Sequence, residues 1–182
     1  MDMQETSETR GSIIQCLIAL GLIVLAFRIG DVSPVLAAGT VPGAAEVAPW
    51  ADDLAALDAS LARQDLGAAA RRWQAGYAAA LASGRWEGLV AMGDAARRLG
   101  AASGARQVGD ARARTLYLGG LFRARQQGAV AGVLRAAEAF ADLGDREVVA
   151  QSLRLAGELA ARSGDPQADA RVRALSGHLA AK

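Results

Sequence analysis

The sequence of 182 residues has one cysteine, Cys16, and one histidine, His178. A disulfide framework needs paired cysteines, and a Cys/His metal site needs several such side chains, so the composition excludes both. The 20 basic and 19 acidic residues leave a formal net charge of +1, which argues against a nucleic-acid binder. No phosphate-binding loop, nucleophile elbow or metal-ligand spacing occurs, so we predict a protein without metal or cofactor that is not an enzyme.

Aromatic residues are also scarce, at 4% of the chain, although hydrophobic types make up 52%. The apolar excess is therefore small and aliphatic: roughly a quarter of the residues are alanine, far above average usage, and 21 are glycine. Such a composition is typical of closely packed helices. The length supports one domain, which can bury about two thirds of its unfolded surface.

The N-terminal part contains a long apolar run without charge, residues 12–27. As a helix this run is ~24 Å long, and residues 11–29 reach ~28 Å, close to the ~30 Å of a bilayer core. A buried helix of a soluble domain would show a polar face, and this run shows none beyond Gln15. We therefore predict that the chain meets the membrane through residues 12–29.

Two fates of this segment are open. Val35 and Ala37 suit the −3 and −1 positions of a signal-peptide cleavage site before Ala38. Against cleavage, the first ten residues carry more acidic than basic side chains, whereas signal peptides usually begin with positive charge. We favour a retained signal anchor over residues 1–37, followed by a flexible linker of Pro, Gly and Ala over residues 38–49.

The location of the rest of the chain depends on these two fates. Arg10 and Arg28 tie across the apolar run, so the positive-inside rule gives no orientation. A signal anchor and a cleaved signal both export the domain on their C-terminal side. We predict a single-pass inner-membrane protein whose helical domain lies outside the cytoplasm, in the periplasm. The alternative is a secreted or periplasmic protein after cleavage near Ala37.

From residue 50 onward, apolar residues recur at intervals of three and four, and no run of alternating β-branched residues occurs. This pattern predicts an all-α domain over residues 50–182. The first helix begins after Pro49 with Leu54, Leu57 and Leu61, and six more are predicted over 66–82, 85–99, 104–126, 129–143, 146–162 and 166–181. Glycine-containing breaks separate the last six, at 84, 100–104, 128, 144 and 164. Gaps this short make neighbouring helices antiparallel.

The helical part also repeats itself, because residues 71–100 align with residues 115–144. The aligned pairs are Trp73 with Tyr117, Gly76 with Gly120, Ala80 with Ala124, Gly84 with Gly128 and Gly88 with Gly132. A third copy starts at Leu153. An aromatic or leucine side chain would pack each helix pair, and the small residues that follow would admit the facing helix. We interpret Trp73, Tyr117 and Phe140 as core residues.

This spacing resembles the tetratricopeptide repeat, whose first helix runs W-x2-L-G-x2-Y and whose turn is often Gly-Asp. The motif positions are taken by Trp73, Gly76, Tyr77, Ala80, Gly84 and Trp86, and in the third copy by Leu153, Ala156, Gly157, Ala160, Gly164 and Asp165. The resemblance covers residues 65–182. It implies antiparallel helical hairpins, stacked as a short right-handed array with a concave face where members of the family bind peptides.

The same resemblance implies which side chains line the concave face. They are Arg71, Gln74, Leu118, Phe122, Arg125, Arg154 and Arg162. Guanidinium groups around an apolar patch can hold a carboxylate or an acidic peptide through paired hydrogen bonds. The alternative for each arginine is a solvated side chain paired with Asp or Glu on a neighbouring turn.

The leading functional hypothesis is a non-catalytic scaffold, membrane-tethered or exported, that binds a partner protein or peptide on this concave face. The alternative is an accessory or assembly subunit of a membrane complex, held mainly by its transmembrane helix. Carboxylate pairs such as Glu138 with Asp142 are present. Two acids on one helical face are usually solvated surface, so acid–base catalysis is the least favoured hypothesis.

Overall fold

The computed structural model describes residues 48–180 of the chain. Within this range the protein has seven α-helices and no strand, which confirms the all-α prediction. The helices are α1 (Ala51–Ala62), α2 (Leu66–Ala82), α3 (Trp86–Ala102), α4 (Arg106–Gln126), α5 (Val130–Leu143), α6 (Arg146–Ser163) and α7 (Pro166–Ala180).

Most predictions for the N-terminal part concern residues outside this range. The signal or anchor over 1–37, the membrane segment 12–29 and the linker up to residue 47 lie outside the described range. None of the seven described helices combines the length and the apolar character that a membrane crossing requires.

The breaks between helices use glycine as the sequence predicts. Five glycines have φ between +65° and +78°, namely Gly84, Gly104, Gly128, Gly144 and Gly164. At Gly144, which ends α5, the amide N–H donates to the carbonyl of Ala141 at 3.0 Å. A side chain with a Cβ adopts this left-handed conformation at a cost of about 1 kcal/mol or more, so glycine ends these helices cleanly.

The prediction for the break between α3 and α4 was wrong at Gly100. The sequence placed the helix end at Leu99, whereas α3 continues to Ala102 and α4 begins at Arg106. Gly100 lies inside α3, where an added Cβ would come 2.7 Å from the Cα of Gly109 on α4. Its lack of a side chain therefore serves the close approach of two backbones, and Gly104 alone makes the turn.

The turn between α1 and α2 lacks a glycine. Gln64 there is the only non-glycine residue with positive φ in the described range, at 59°, and it is exposed. Gln64→Gly should raise the free energy of unfolding by about 0.5–1 kcal/mol, because glycine adopts this conformation without Cβ strain. Urea unfolding followed by circular dichroism measures the change.

The matched control for this prediction is Gln127→Gly, in the turn after α4. Gln127 has an ordinary φ of −81°, and its side-chain amide donates to the carbonyl of Gly84 at 3.1 Å. That variant should lose stability. If both variants shift the urea midpoint in the same direction, relief of backbone strain does not explain the change in stability of Gln64→Gly.

Packing between the helices has two regular features. Consecutive helices are joined by two or three residues and contact each other, as expected for antiparallel neighbours. Second neighbours also contact each other along the odd-numbered helices, α1 with α3, α3 with α5 and α5 with α7. The even-numbered helices therefore lie on the other side of this row.

At two contacts between odd-numbered helices, a tryptophan ring packs closely against a glycine. An added Cβ on Gly88 of α3 would lie 2.9 Å from the Trp50 ring, which precedes α1. An added Cβ on Gly132 of α5 would lie 2.7 Å from the ring of Trp86, the first residue of α3. The two aligned glycines of the sequence repeat thus hold equivalent contacts.

The predicted core residues Trp73, Tyr117 and Phe140 are all buried, which confirms that interpretation. The indole N–H of Trp73 donates to the carbonyl of Met92 at 3.0 Å. The rings of Tyr117 and Phe140 meet edge to face, with their centroids 5.8 Å apart. Tyr117 therefore fixes α4 against α5 from the inside.

Candidate functional site

An open groove of about 540 Å³ lies between α4 and α6. Both helices pack on α5, which separates them. The residues that line the groove from α4 are Leu118, Leu121, Phe122 and Arg125. Those that line it from α6 are Gln151, Ser152, Arg154, Leu155 and Glu158.

The inner part of the groove is apolar. Leu121 and Leu155 are partly buried and pack against the core cluster that contains Val133 of α5. Leu118 and Phe122 stand one turn apart at the edge, with 47% and 58% of their surface exposed. Single exposed apolar side chains are common, but neighbouring ones that continue into an apolar floor indicate a binding surface.

Residues 48–180 contain 17 arginines, of which a minority form ion pairs. Six arginines form ion pairs with Asp or Glu within 4.0 Å, namely Arg72, Arg85, Arg97, Arg98, Arg114 and Arg135. Arg125 and Arg154 have no ion-pair partner within residues 48–180. Pairing with a neighbouring acid, the alternative for these two, therefore does not occur in the part of the chain that the structure describes.

A buried hydroxyl also lines the groove. Ser152 is 1% exposed, and its Oγ has no hydrogen-bond partner among the described residues. A buried hydroxyl left without a partner costs about 1–3 kcal/mol of desolvation. The hydroxyl is therefore an uncompensated polar group next to the groove.

The end of α4 that carries Phe122 is held in place by the α2–α3 turn. The guanidinium of Arg123 donates to the carbonyls of Ala80 and Arg85, each at 3.3 Å. Ala80 lies in the last turn of α2 and Arg85 directly precedes α3, so these bonds join α4 to both helices of that hairpin. The wall of the groove is thus attached to the neighbouring hairpin, so the backbone that carries its exposed side chains has a fixed position.

A charged cluster fixes the buried side of α4. The Tyr117 hydroxyl donates to the Asp94 carboxylate at 2.6 Å, and Arg135 donates to the other oxygen of Asp94 at 2.7 Å. Burial raises the pKa of the Tyr117 hydroxyl well above its ordinary value, and the hydrogen bond to Asp94 adds to the shift. These groups satisfy one another, so we interpret the cluster as structural.

Of the seven predicted site residues, four line the groove: Leu118, Phe122, Arg125 and Arg154. The other three do not. Arg71 and Gln74 are exposed on α2, and Arg162 donates to the carbonyl of Glu158 in its own helix at 3.1 Å.

Sequence reasoning missed the residues in the inner part of the groove. Leu121 and Leu155 follow the same spacing of three and four as the core leucines, so their sequence positions carry no separate signal. In the aligned copies of the sequence, Ser152 corresponds to buried Leu116 and to exposed Arg72. The alignment therefore carries no consistent signal for this position.

Comparisons with known proteins found no significant match of this chain to a family model, a curated protein or a solved structure. In residues 48–180, no group of three or more His, Cys, Asp or Glu side chains is placed to hold a metal ion. The groove offers apolar surface, two cations, one carboxylate and one hydroxyl, a combination that can recognise a peptide.

Proposed function

We propose that this protein is a non-catalytic scaffold that holds a segment of a partner protein in the groove between α4 and α6. The observation that supports this most strongly is the coincidence, at one open groove, of exposed Leu118 and Phe122 with two arginines that have no ion-pair partner within residues 48–180. Interfaces gain most of their affinity from a few anchors of this kind, with aromatic residues and arginine enriched among them.

The proposal is non-catalytic because of what the groove contains. Among the described residues, its lining has one carboxylate, Glu158, and no histidine or cysteine. Acid–base or nucleophilic catalysis needs paired groups within hydrogen-bond reach of each other. The arrangement suits binding, in which apolar contact supplies affinity and charge supplies selectivity.

We extend the proposal to the architecture and the location. Stacked hairpins similar to tetratricopeptide repeats would give the groove its place between two first helices of successive repeats. A membrane tether or export signal over residues 12–29 would present the groove outside the cytoplasm. The long apolar run also favours the second candidate function, an accessory subunit of a membrane complex that is held mainly by its transmembrane helix.

Site-specific photo-cross-linking in cells tests the proposal. The full chain carries a photoreactive amino acid in place of Phe122, and a matched variant carries it in place of Ala131, an exposed residue of α5. We expect a discrete cross-linked product of higher mass from position 122 and none from position 131. Equal products from both positions, or none from either, would contradict it.

The same experiment separates the two candidate functions. A scaffold whose groove binds a partner gives the product from position 122 even when residues 12–29 are replaced by another membrane helix. An accessory subunit loses co-purification of its complex on that replacement and gives no product from position 122.

A further inference from the structure

We propose that the segment held between α4 and α6 is an acidic one, in which carboxylates flank an apolar side chain. This inference rests on the proposed function and names the chemistry of its partner. It also assigns a role to Ser152, as a hydroxyl that hydrogen-bonds the bound peptide.

The apolar side chain has a defined place in the groove. Leu121 and Leu155 form the floor, and Phe122 with Leu118 covers one side. The volume of about 540 Å³ falls within the range of roughly 300–1,000 Å³ typical of clefts for small ligands. A short stretch of peptide therefore fits.

The charge of the groove selects the flanking residues. Arg125 stands on the α4 wall and Arg154 on the α6 wall, so a peptide lying between the helices meets a guanidinium on each side. Neither is neutralised by an acid within the described range. Guanidinium groups bind carboxylates through two parallel hydrogen bonds, which are stronger than neutral ones.

Glu158 is the one carboxylate among the groove residues. It follows Arg154 by one helical turn on the same wall, so it repels a carboxylate of the peptide placed next to it. The groove therefore favours acid beside the two arginines and disfavours it beside Glu158.

Ser152 is proposed to donate a hydrogen bond to the peptide from the inner part of the groove. Ser152 lines the groove, and its hydroxyl is buried and lacks a partner among residues 48–180. A carbonyl or carboxylate oxygen of the peptide can accept this hydrogen bond, which removes a penalty that the free protein carries. Ser152→Ala should thus raise the Tm of the free protein while it weakens peptide binding by about fivefold.

The experiment selects short random peptides, displayed on phage, against the full-length protein in detergent. Peptides that also bind Phe122→Asp are discarded, because they do not use the groove. We expect the remaining sequences to show an excess of Asp and Glu beside an apolar residue. The best peptide, made synthetically, should lose about tenfold in affinity on Arg154→Gln and on Arg125→Gln.

Two controls accompany these measurements. Arg173→Gln changes an exposed arginine of α7 that lies away from the groove, so affinity should stay the same. Added salt that shortens the Debye length from about 10 Å to about 3 Å should weaken the wild-type complex more than the complex with Arg154→Gln.

The outcomes that contradict the inference are distinct from those that contradict the proposed function. Groove-dependent peptides without an excess of acid, or with unchanged affinity for both glutamine variants, would overturn the acidic partner and leave the scaffold in place. A fall in affinity on Arg125→Gln and Arg154→Gln with none on Ser152→Ala would overturn the role of Ser152. A selection that yields no groove-dependent peptide would overturn the inference and the proposed function together.

Discussion

Replacing Gly109 by alanine is expected to lower the free energy of unfolding by about 2 kcal/mol. An added Cβ would lie 2.8 Å from the carbonyl oxygen of Ala96 and 3.0 Å from the Cα of Gly100. Both are backbone atoms of α3, so no side-chain rotation relieves the clash and the two helices must move apart. Overpacking of this kind costs about 3 kcal/mol, and the better helix propensity of alanine returns about 1 kcal/mol.

The control is Gly157→Ala on α6, where an added Cβ meets no atom within 4 Å. Because no clash occurs, the higher helix propensity of alanine is the main effect, and the free energy of unfolding should rise by about 1 kcal/mol. Urea unfolding of both variants, followed by circular dichroism, measures the difference of about 3 kcal/mol between them. Two changes of the same sign would show that contact between α3 and α4 does not limit stability.

The contrast between these glycines shows how far the sequence determines the fold. The number of helices and most of their bounds can be predicted from apolar spacing, because each helix must bury one face. A glycine in such a pattern serves either as a turn or as a place where two backbones meet. The sequence predicts a turn at Gly100. Its contact with Gly109 joins two different helices, and no local pattern reveals that pairing.

A similar limit applies to the candidate site. Of the residues that the sequence hypothesis names, Leu118, Phe122, Arg125 and Arg154 line one groove, and the others do not. The repeat motif does not tell which gap between helices stays open. Partial burial of Leu155 and the missing hydrogen-bond partner of Ser152 among the described residues depend on side-chain packing against α5, which only the folded arrangement defines.

The largest expected dependence on solution conditions concerns Tyr117. Burial raises the pKa of its hydroxyl above the ordinary value of 10.0, with the Asp94 hydrogen bond as the second cause. Below about pH 10 the tyrosine is protonated in both the folded and the unfolded state, so its contribution to stability is fully present. Above that pH only the unfolded chain releases the proton, and stability falls by up to about 1.4 kcal/mol per pH unit.

Tyr117→Phe removes this dependence. At neutral pH the variant should be less stable than the wild type by about 1–2 kcal/mol, because Asp94 loses a buried hydrogen-bond donor. As the pH rises through the range in which the unfolded tyrosine ionises, the wild type loses stability faster and the two urea midpoints converge. Tyr77→Phe, which changes the other tyrosine of the chain, is the matched control and should keep the steep alkaline loss.

The test also bears on the groove, because Tyr117 directly precedes Leu118 on α4. Because the raised pKa keeps this hydroxyl protonated in the folded state, the wall that carries Leu118 and Phe122 should stay in place while the unfolded chain ionises. Peptide affinity of the folded wild type should then stay constant over the alkaline range in which its free energy of unfolding falls. A constant difference in stability between wild type and Tyr117→Phe from neutral pH to about pH 12, above the ordinary tyrosine pKa, would show that the hydroxyl is not held as the structure places it.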